Sequence, residues 1–133
     1  MPGSFLDTNI VIYSLSNDQH KQDIALSLLA RKPVMSVQVL SETANVMRRK
    51  MGYAISDVRI VTDRMAGECS TIQPLTVTTL HDSLNLSERY GFSHYDSLIV
   101  ASAMAAGCTE LYSEDMHHGQ VINDQLTIIN PFR

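Results

Sequence analysis

An α/β fold, with a mainly parallel central sheet and helices on both faces, is what the sequence predicts. Two observations lead there. Short apolar runs alternate with longer segments of helical period along the chain, the pattern of strands joined by helical crossovers. One segment, residues 95–107, is apolar or small on nearly every side, so it must be a helix packed around most of its circumference. The length of 133 residues, with 44% hydrophobic and 18% charged, suits one domain over 1–133 with a true core.

Ser4-Phe5-Leu6 is a short apolar run ending in Asp7-Thr8-Asn9, a first strand that passes into a helix through Ile10, Val11, Ile12 and Tyr13. Ser16-Asn17-Asp18 is loop chemistry. A second helix covers about 19–30, with Ile24, Ala25 and Leu28 near one face. Pro33-Val34-Met35 is a strand, and Ser36 is a good N-cap for a third helix over 37–51. Val37, Leu40, Ala44, Met47 and Met51 form its stripe. Glu42 lies off that stripe, with Gln38, Asn45 and Arg49. Gly52 ends the helix, and the next begins near Ser56-Asp57 and carries Val58, Val61 and Met65. Thr71-Ile72-Gln73-Pro74-Leu75 reads as a strand whose proline suits an edge. Thr78-Thr79 caps a helix to Tyr90 with Leu80, Leu84 and Leu86 inside. Gly91-Phe92-Ser93-His94 links it to the apolar helix, which carries Asp96 in its first turn and is stopped by Gly107. Glu110-Leu111-Tyr112 is a strand, and Ser113-Glu114-Asp115 opens a polar loop with His117-His118-Gly119. Leu126-Thr127-Ile128-Ile129 is the last strand, stopped by Pro131.

No apolar run approaches a membrane span, and Met1-Pro2-Gly3-Ser4 has no basic n-region, so a cytoplasmic protein is expected. Cys69 and Cys108 form no CxxC and read as buried reduced thiols. A net charge of −4 argues against non-specific adhesion to nucleic acid. It leaves a nuclease open, because metal-binding acids count as negative until the metal arrives. Any nucleic-acid contact then needs a local basic cluster. Arg48-Arg49-Lys50 is the densest run, and a solvated helix end complementing the dipole explains it equally well.

Four acids fall at one end of this frame. Asp7 and Asp115 each follow a strand, Glu42 lies in the first half of the third helix, and Asp96 opens the apolar helix. Ligands of open α/β sheets bind outside the carboxyl ends of the strands. Each acid also has a plain explanation: helix capping for Asp7 and Asp96, an Asx-turn for Asp115, a solvated face for Glu42. Together they form a cluster that needs protons or cations to hold it. Carboxylates without basic partners favour Mg²⁺ or Mn²⁺, and such a site suits phosphodiester hydrolysis.

The same residues resemble a known family. Phe5-Leu6-Asp7-Thr8-Asn9-Ile10 resembles the opening motif of PIN-domain ribonucleases. Ser41-Glu42, the run from Tyr95-Asp96-Ser97 to Ala103, and Leu111-Tyr112-Ser113-Glu114-Asp115 are similar to that family's later acidic motifs, in the family's order. The single-domain length is similar to VapC toxins of bacterial toxin–antitoxin pairs. The resemblance implies that Asp7, Glu42, Asp96 and Asp115 hold Mg²⁺ or Mn²⁺, that Asn9 and Ser113 support them, and that RNA is hydrolysed by a metal-activated water. Family spacing favours Asp115 over Glu114 as the inward acid, and Ser113 stands where Thr is commoner. RNA, an antitoxin and a second copy of the chain are the implied partners. Arg49, on Glu42's face two turns on, and Arg48 are the candidate RNA-backbone contacts.

Two rival readings share parts of this pattern. An aspartyl-phosphate phosphatase or receiver domain also places an Asp after the first strand, but looks for a late lysine, and this chain has none after Lys50. A PIN-fold binding module without nuclease activity would keep the fold and lose the acids. Apolar residues around 24–29 and 58–65 are candidate dimer or antitoxin surfaces that core packing explains as well. His117 and His118 lack zinc-ligand spacing and are expected beside the site, as is His94.

Overall fold

The computed structural model of the chain describes residues 3–133. Met1 and Pro2, on which part of the leaderless-start expectation rests, lie outside the described residues. The elements in order are β1 (Ser4–Leu6), α1 (Thr8–Tyr13), α2 (Gln19–Leu29), β2 (Val34–Ser36), α3 (Val37–Arg49), α4 (Ile55–Glu68), β3 (Thr71–Gln73), α5 (Val77–Tyr90), α6 (His94–Ala105), β4 (Glu110–Tyr112), β5 (Val121–Ile122) and β6 (Leu126–Ile129).

The strands form one sheet in the order β3-β2-β1-β4-β6-β5. All neighbours from β3 to β6 run parallel, and β5 pairs antiparallel with β6. β3 is an edge strand, as its proline-bounded sequence predicts. β5 has no sequence signature, because two residues are too few to show a period, and only its pairing with Leu126 and Thr127 reveals it. Successive strand residues face opposite sides of a sheet. Phe5 and Leu6 are both fully buried, as are all three residues of β2, so both faces of the sheet are covered. The core runs through Phe5, Leu6, Met35, Ile99, Leu111, Leu126 and Ile128. Among the described residues no helix is long and apolar enough to cross a membrane. Cys69 and Cys108 are free thiols, and burial pushes both up to about 11, which suits inert packing residues.

α6 is the buried helix its composition demands, with every residue from Ser97 to Ala103 buried. It lies against β2 and β3 on one side and α5 on the other. Two helix faces differ from expectation. In α5 the buried residues are Thr79, Ser83 and Leu86, while Leu80 and Leu84 are exposed. In α3 they are Gln38, Val39, Thr43 and Met47, while Val37 is exposed. Both alternatives fit a helical period, so the period alone could not choose. The tertiary contact does: Ser87 and Ser97 share a hydroxyl–hydroxyl hydrogen bond of 2.5 Å across α5 and α6. That approach turns Thr79, Ser83 and Leu86 inward and leaves Leu80 and Leu84 to the exposed face. The cap of α5 is Thr76, not Thr78-Thr79, with Thr79 completing a reciprocal capping box.

A direct check compares two leucines of α5. Leu86→Ala is expected to cost about 2–5 kcal/mol in urea denaturation. Leu84→Ala, on the exposed face, should stay within about 0.5 kcal/mol. Equal losses would mean that the helix is rotated from this packing.

Candidate active site

The site grows from the junction of β1 and β4. Their parallel register sets Leu6 opposite Tyr112, so the first residues beyond the strands, Asp7 and Ser113, emerge side by side. The Asp7 amide donates to the Tyr112 carbonyl at 2.9 Å. The Ser113 hydroxyl donates to Asp7 Oδ2 at 2.8 Å, and the Thr8 amide donates to Asp7 Oδ1 at 2.7 Å. Asp7 therefore caps α1 and still presents a carboxylate at the carboxyl end of the sheet. Capping α1 is therefore compatible with a place at the carboxyl end of the sheet.

Glu42 comes from the second turn of α3. The Thr8 hydroxyl donates to its Oε2 at 2.6 Å, and the Gln38 amide nitrogen donates to its Oε1 at 2.9 Å. The same Gln38 nitrogen reaches the Tyr95 carbonyl at 3.2 Å, which ties Glu42 to the start of α6. Gln38 Oε1 is buried without a partner. Asp96 lies in the first turn of α6, but the cap of that helix is Ser93, whose hydroxyl accepts from the Asp96 amide at 3.2 Å. The capping explanation for the Asp96 side chain is thereby corrected: a serine three residues earlier already does that work. Asp115 is exposed, and its Oδ2 accepts from Asn9 Nδ2 at 2.9 Å.

The acids act on one another electrostatically. Burial pushes the Asp7 carboxyl up to about 6; the Ser113 hydroxyl and Thr8 amide oppose this, and the Asp96 and Glu42 carboxylates add to it. Asp96 is also raised, chiefly by burial, with Ser93 opposing and the Asp115 and Glu42 carboxylates adding. Glu114 goes the other way. Its carboxylate pairs with Lys21 at 2.7 Å, which holds it below the usual range, helped by the Tyr13 hydroxyl. This is the one ion pair among the described residues, and it takes the acid beside the cluster rather than any member of it.

The donor set is all carboxylate and uncompensated by any cation, which fits a hard divalent ion. Among the described residues no three or more His, Cys, Asp or Glu side chains lie close enough together to hold a metal ion as they stand. Like charges with nothing positive between them resist closer approach.

Arg48 and Arg49 are exposed at the end of α3. With Asn45 and Tyr53 they line an open cleft of about 560 Å³ that contains none of the four acids. Asn45 also lines the neighbouring cleft beside Glu42, with Tyr95 and Leu98. His118 accepts from the Asn130 amide through Nδ1 at 2.9 Å, and the His94 ring lies edge-on to Tyr95. Around residues 24–29 and 58–65, Ala25, Leu28, Leu29, Val58 and Met65 are core residues. The exposed apolar side chains there are Leu26 and Ile60, and others lie on α5.

The sequence reading missed Thr8, Gln38, Lys21 and Tyr13. The i, i+4 spacing of Gln38 and Glu42 was a usable signal. Lys21 had none, being 93 residues from its acid.

A family model described as PIN domain matches residues 4–121. No curated protein matches the chain. Among solved structures, the chain is similar to a toxin–antitoxin complex from Klebsiella pneumoniae, with a TM-score of 0.71, 17% identity, and coverage of 96% of this chain and 97% of that one. It is similar to Mycobacterium tuberculosis VapC20, described as a sarcin-ricin loop cleaving toxin, with a TM-score of 0.65, 18% identity, and coverage of 81% and 86%. It is also similar to FitAcB from Neisseria gonorrhoeae, with a TM-score of 0.66, 14% identity, and coverage of 97% and 98%. At these identities the likeness is one of fold.

Proposed function

Because the chain belongs to the PIN domain family, we propose that it is a metal-dependent endoribonuclease, the toxin of a toxin–antitoxin pair acting in the cytoplasm. The observation that carries this reading is the uncompensated group of Asp7, Glu42, Asp96 and Asp115, in which Asp7 and Asp96 are both pushed up partly by their acidic neighbours. Nothing in the fold requires unpaired carboxylates together, and their mutual repulsion counts against stability. A nuclease needs them.

In this reading the four acids hold Mg²⁺ or Mn²⁺. When bound, the ion supplies Lewis-acid neutralisation of the phosphodiester and an acidified water. The chain's own residues do the rest. Ser113 and Thr8 hold Asp7, Thr8 and Gln38 hold Glu42, and Asn9 holds Asp115. Arg48 and Arg49 take the flanking phosphates from their cleft along α3. The partners are RNA, a cognate antitoxin and a second copy of the chain. The Klebsiella pneumoniae neighbour, a toxin–antitoxin complex, supports the antitoxin. The exposed apolar residues Val77, Leu80 and Leu84 support coverage by another protein.

The deciding experiment incubates labelled cellular RNA with purified protein in Mg²⁺, in Mn²⁺ and in EDTA. Discrete products that require metal are expected. A folded, inhibitor-free protein that cleaves nothing would move the reading to a PIN-fold binding module. For the basic cleft, Arg49→Ala should weaken RNA binding across sequences and lower the salt slope of log K by about 0.7 for a single strand. An unchanged slope in a salt titration would assign Arg49 to the solvated helix end.

A further inference from the structure

Asp115 and Glu114 are adjacent acids on one loop, and something must decide which faces the cluster. Asp115 is exposed, and the Asn9 side chain is the hydrogen-bond partner of its carboxylate. The Oδ1 of that same Asn9 accepts from the Glu114 amide at 3.5 Å. The placement of Asp115 is therefore coupled to the placement of Glu114. The Glu114 carboxylate, in turn, is gripped on both oxygens. Lys21 Nζ donates to Oε2 at 2.7 Å, and the Tyr13 hydroxyl donates to Oε1. Lys21 also donates to the Tyr13 hydroxyl at 3.0 Å. Its ammonium lies 4.4 Å from the centroid of the Tyr13 ring and 5.3 Å from that of Phe132, and the two rings meet edge-to-face at 5.0 Å.

We propose that Lys21, Tyr13 and Phe132 form a latch on Glu114 that holds this acid out of the cluster and sets the loop so that Asp115 faces it. They are positioning residues, acting through Glu114 and Asn9. The proposal rests on the reading of Asp115 as a metal ligand. The latch draws on the end of α1, the start of α2 and the end of the chain: Tyr13 and Lys21 hold Glu114, and the Phe132 ring packs against both of them. The loop is tied to the chain end at two further points: the Ser113 amide donates to the Ile129 carbonyl, and the Asn130 amide donates to His118. A lone exposed Lys–Glu pair contributes little to stability. Here the cation is partly desolvated by two rings, and what it fixes is direction. With Lys21 neutralised, Glu114 keeps only the Tyr13 hydroxyl as a hold and becomes one more carboxylate without a counter-charge beside four others.

The test measures Mn²⁺ binding by calorimetry and amide hydrogen exchange of Glu114 and Met116 in EDTA, in full-length wild type, Lys21→Met and Lys21→Arg. Lys21→Met is expected to weaken Mn²⁺ binding about 10-fold, the lower end of the loss seen when an outer partner of a metal ligand is removed. It should also speed exchange at both amides, while far-UV circular dichroism stays that of the wild type. Lys21→Arg keeps the cation and its donors and should restore both readouts. Wild-type affinity and wild-type exchange in Lys21→Met would overturn the latch. So would equal losses in Met and Arg variants, which would assign the effect to packing. A wild type that binds no Mn²⁺ would overturn the metal reading instead, and faster loop exchange in Lys21→Met would then still support the latch.

Discussion

Asp96→Asn protein is expected to cleave RNA at least ~100-fold more slowly than wild type in Mn²⁺, more than the loss of an outer-shell partner causes, with its fold intact. The fold survives because the Ser93 hydroxyl, not the Asp96 carboxylate, takes the free amide at the start of α6. Asparagine is the same size and keeps the backbone amide that donates to Ser93. What it removes is a negative charge that Asp115 and Glu42 both feel across the cluster. An amide is a far poorer ligand for a hard cation than a carboxylate, and the developing charge on a phosphodiester then loses its neutralisation. Single-turnover cleavage of labelled RNA, with wild type and variant in the same buffer, measures the ratio. Wild-type rates in the variant would remove Asp96 from the site. Loss of the circular dichroism spectrum would return it to a structural role.

Asp7→Asn should also abolish cleavage, and it should make the metal-free protein more stable at neutral pH. The sign follows from the raised carboxyl of Asp7. Its folded value of about 6 lies above the ordinary 3.8. Between those two values the folded chain holds a proton that the unfolded chain has released. Asp7 therefore lowers stability progressively as pH rises through that window, and the full effect, roughly 3 kcal/mol for about two units, stands above pH 6. Asparagine keeps the oxygen that accepts from Thr8, and its amide meets the Ser113 oxygen where the carboxylate accepted from it. In EDTA, the stability difference between variant and wild type should be near zero at pH 4 and grow to a plateau above pH 6. Urea denaturation at a series of pH values measures it. A variant less stable than wild type at pH 8 would make capping the main work of Asp7. Added Mn²⁺ should stabilise the wild type and leave the variant nearly unmoved, because only a folded site binds the ion.

Much of the frame is legible in the sequence. The alternation of Phe5-Leu6, Val34-Met35 and Leu111-Tyr112 with amphipathic helices gives the parallel sheet, because crossovers of that length join parallel strands. The apolar run of α6 gives its burial. Asp7 and Asp115 follow strands, and Glu42 and Asp96 lie early in helices, so their common end of the sheet follows from topology. Less readable were faces and partners. Leu84 and Ser83 both lie at helical spacing, and only the close approach of α6 decides which is inside. The reading of α3 failed in the same way at Val37 and Thr43.

The sequence by itself determined the order of elements other than β5 and the parallel core, because periodicity and turn chemistry are local, and it placed acids where strands end and helices begin, because each residue carries its own charge. Tertiary structure decided which acid of the Glu114–Asp115 pair is neutralised. Lys21 is 93 residues from Glu114, and Coulombic attraction acts over distance in space, which spacing along a chain does not report. It also decided that Ser93, rather than Asp96, caps α6, since only the extended backbone of Ser93 before the first turn puts a side-chain oxygen in reach of the free amide.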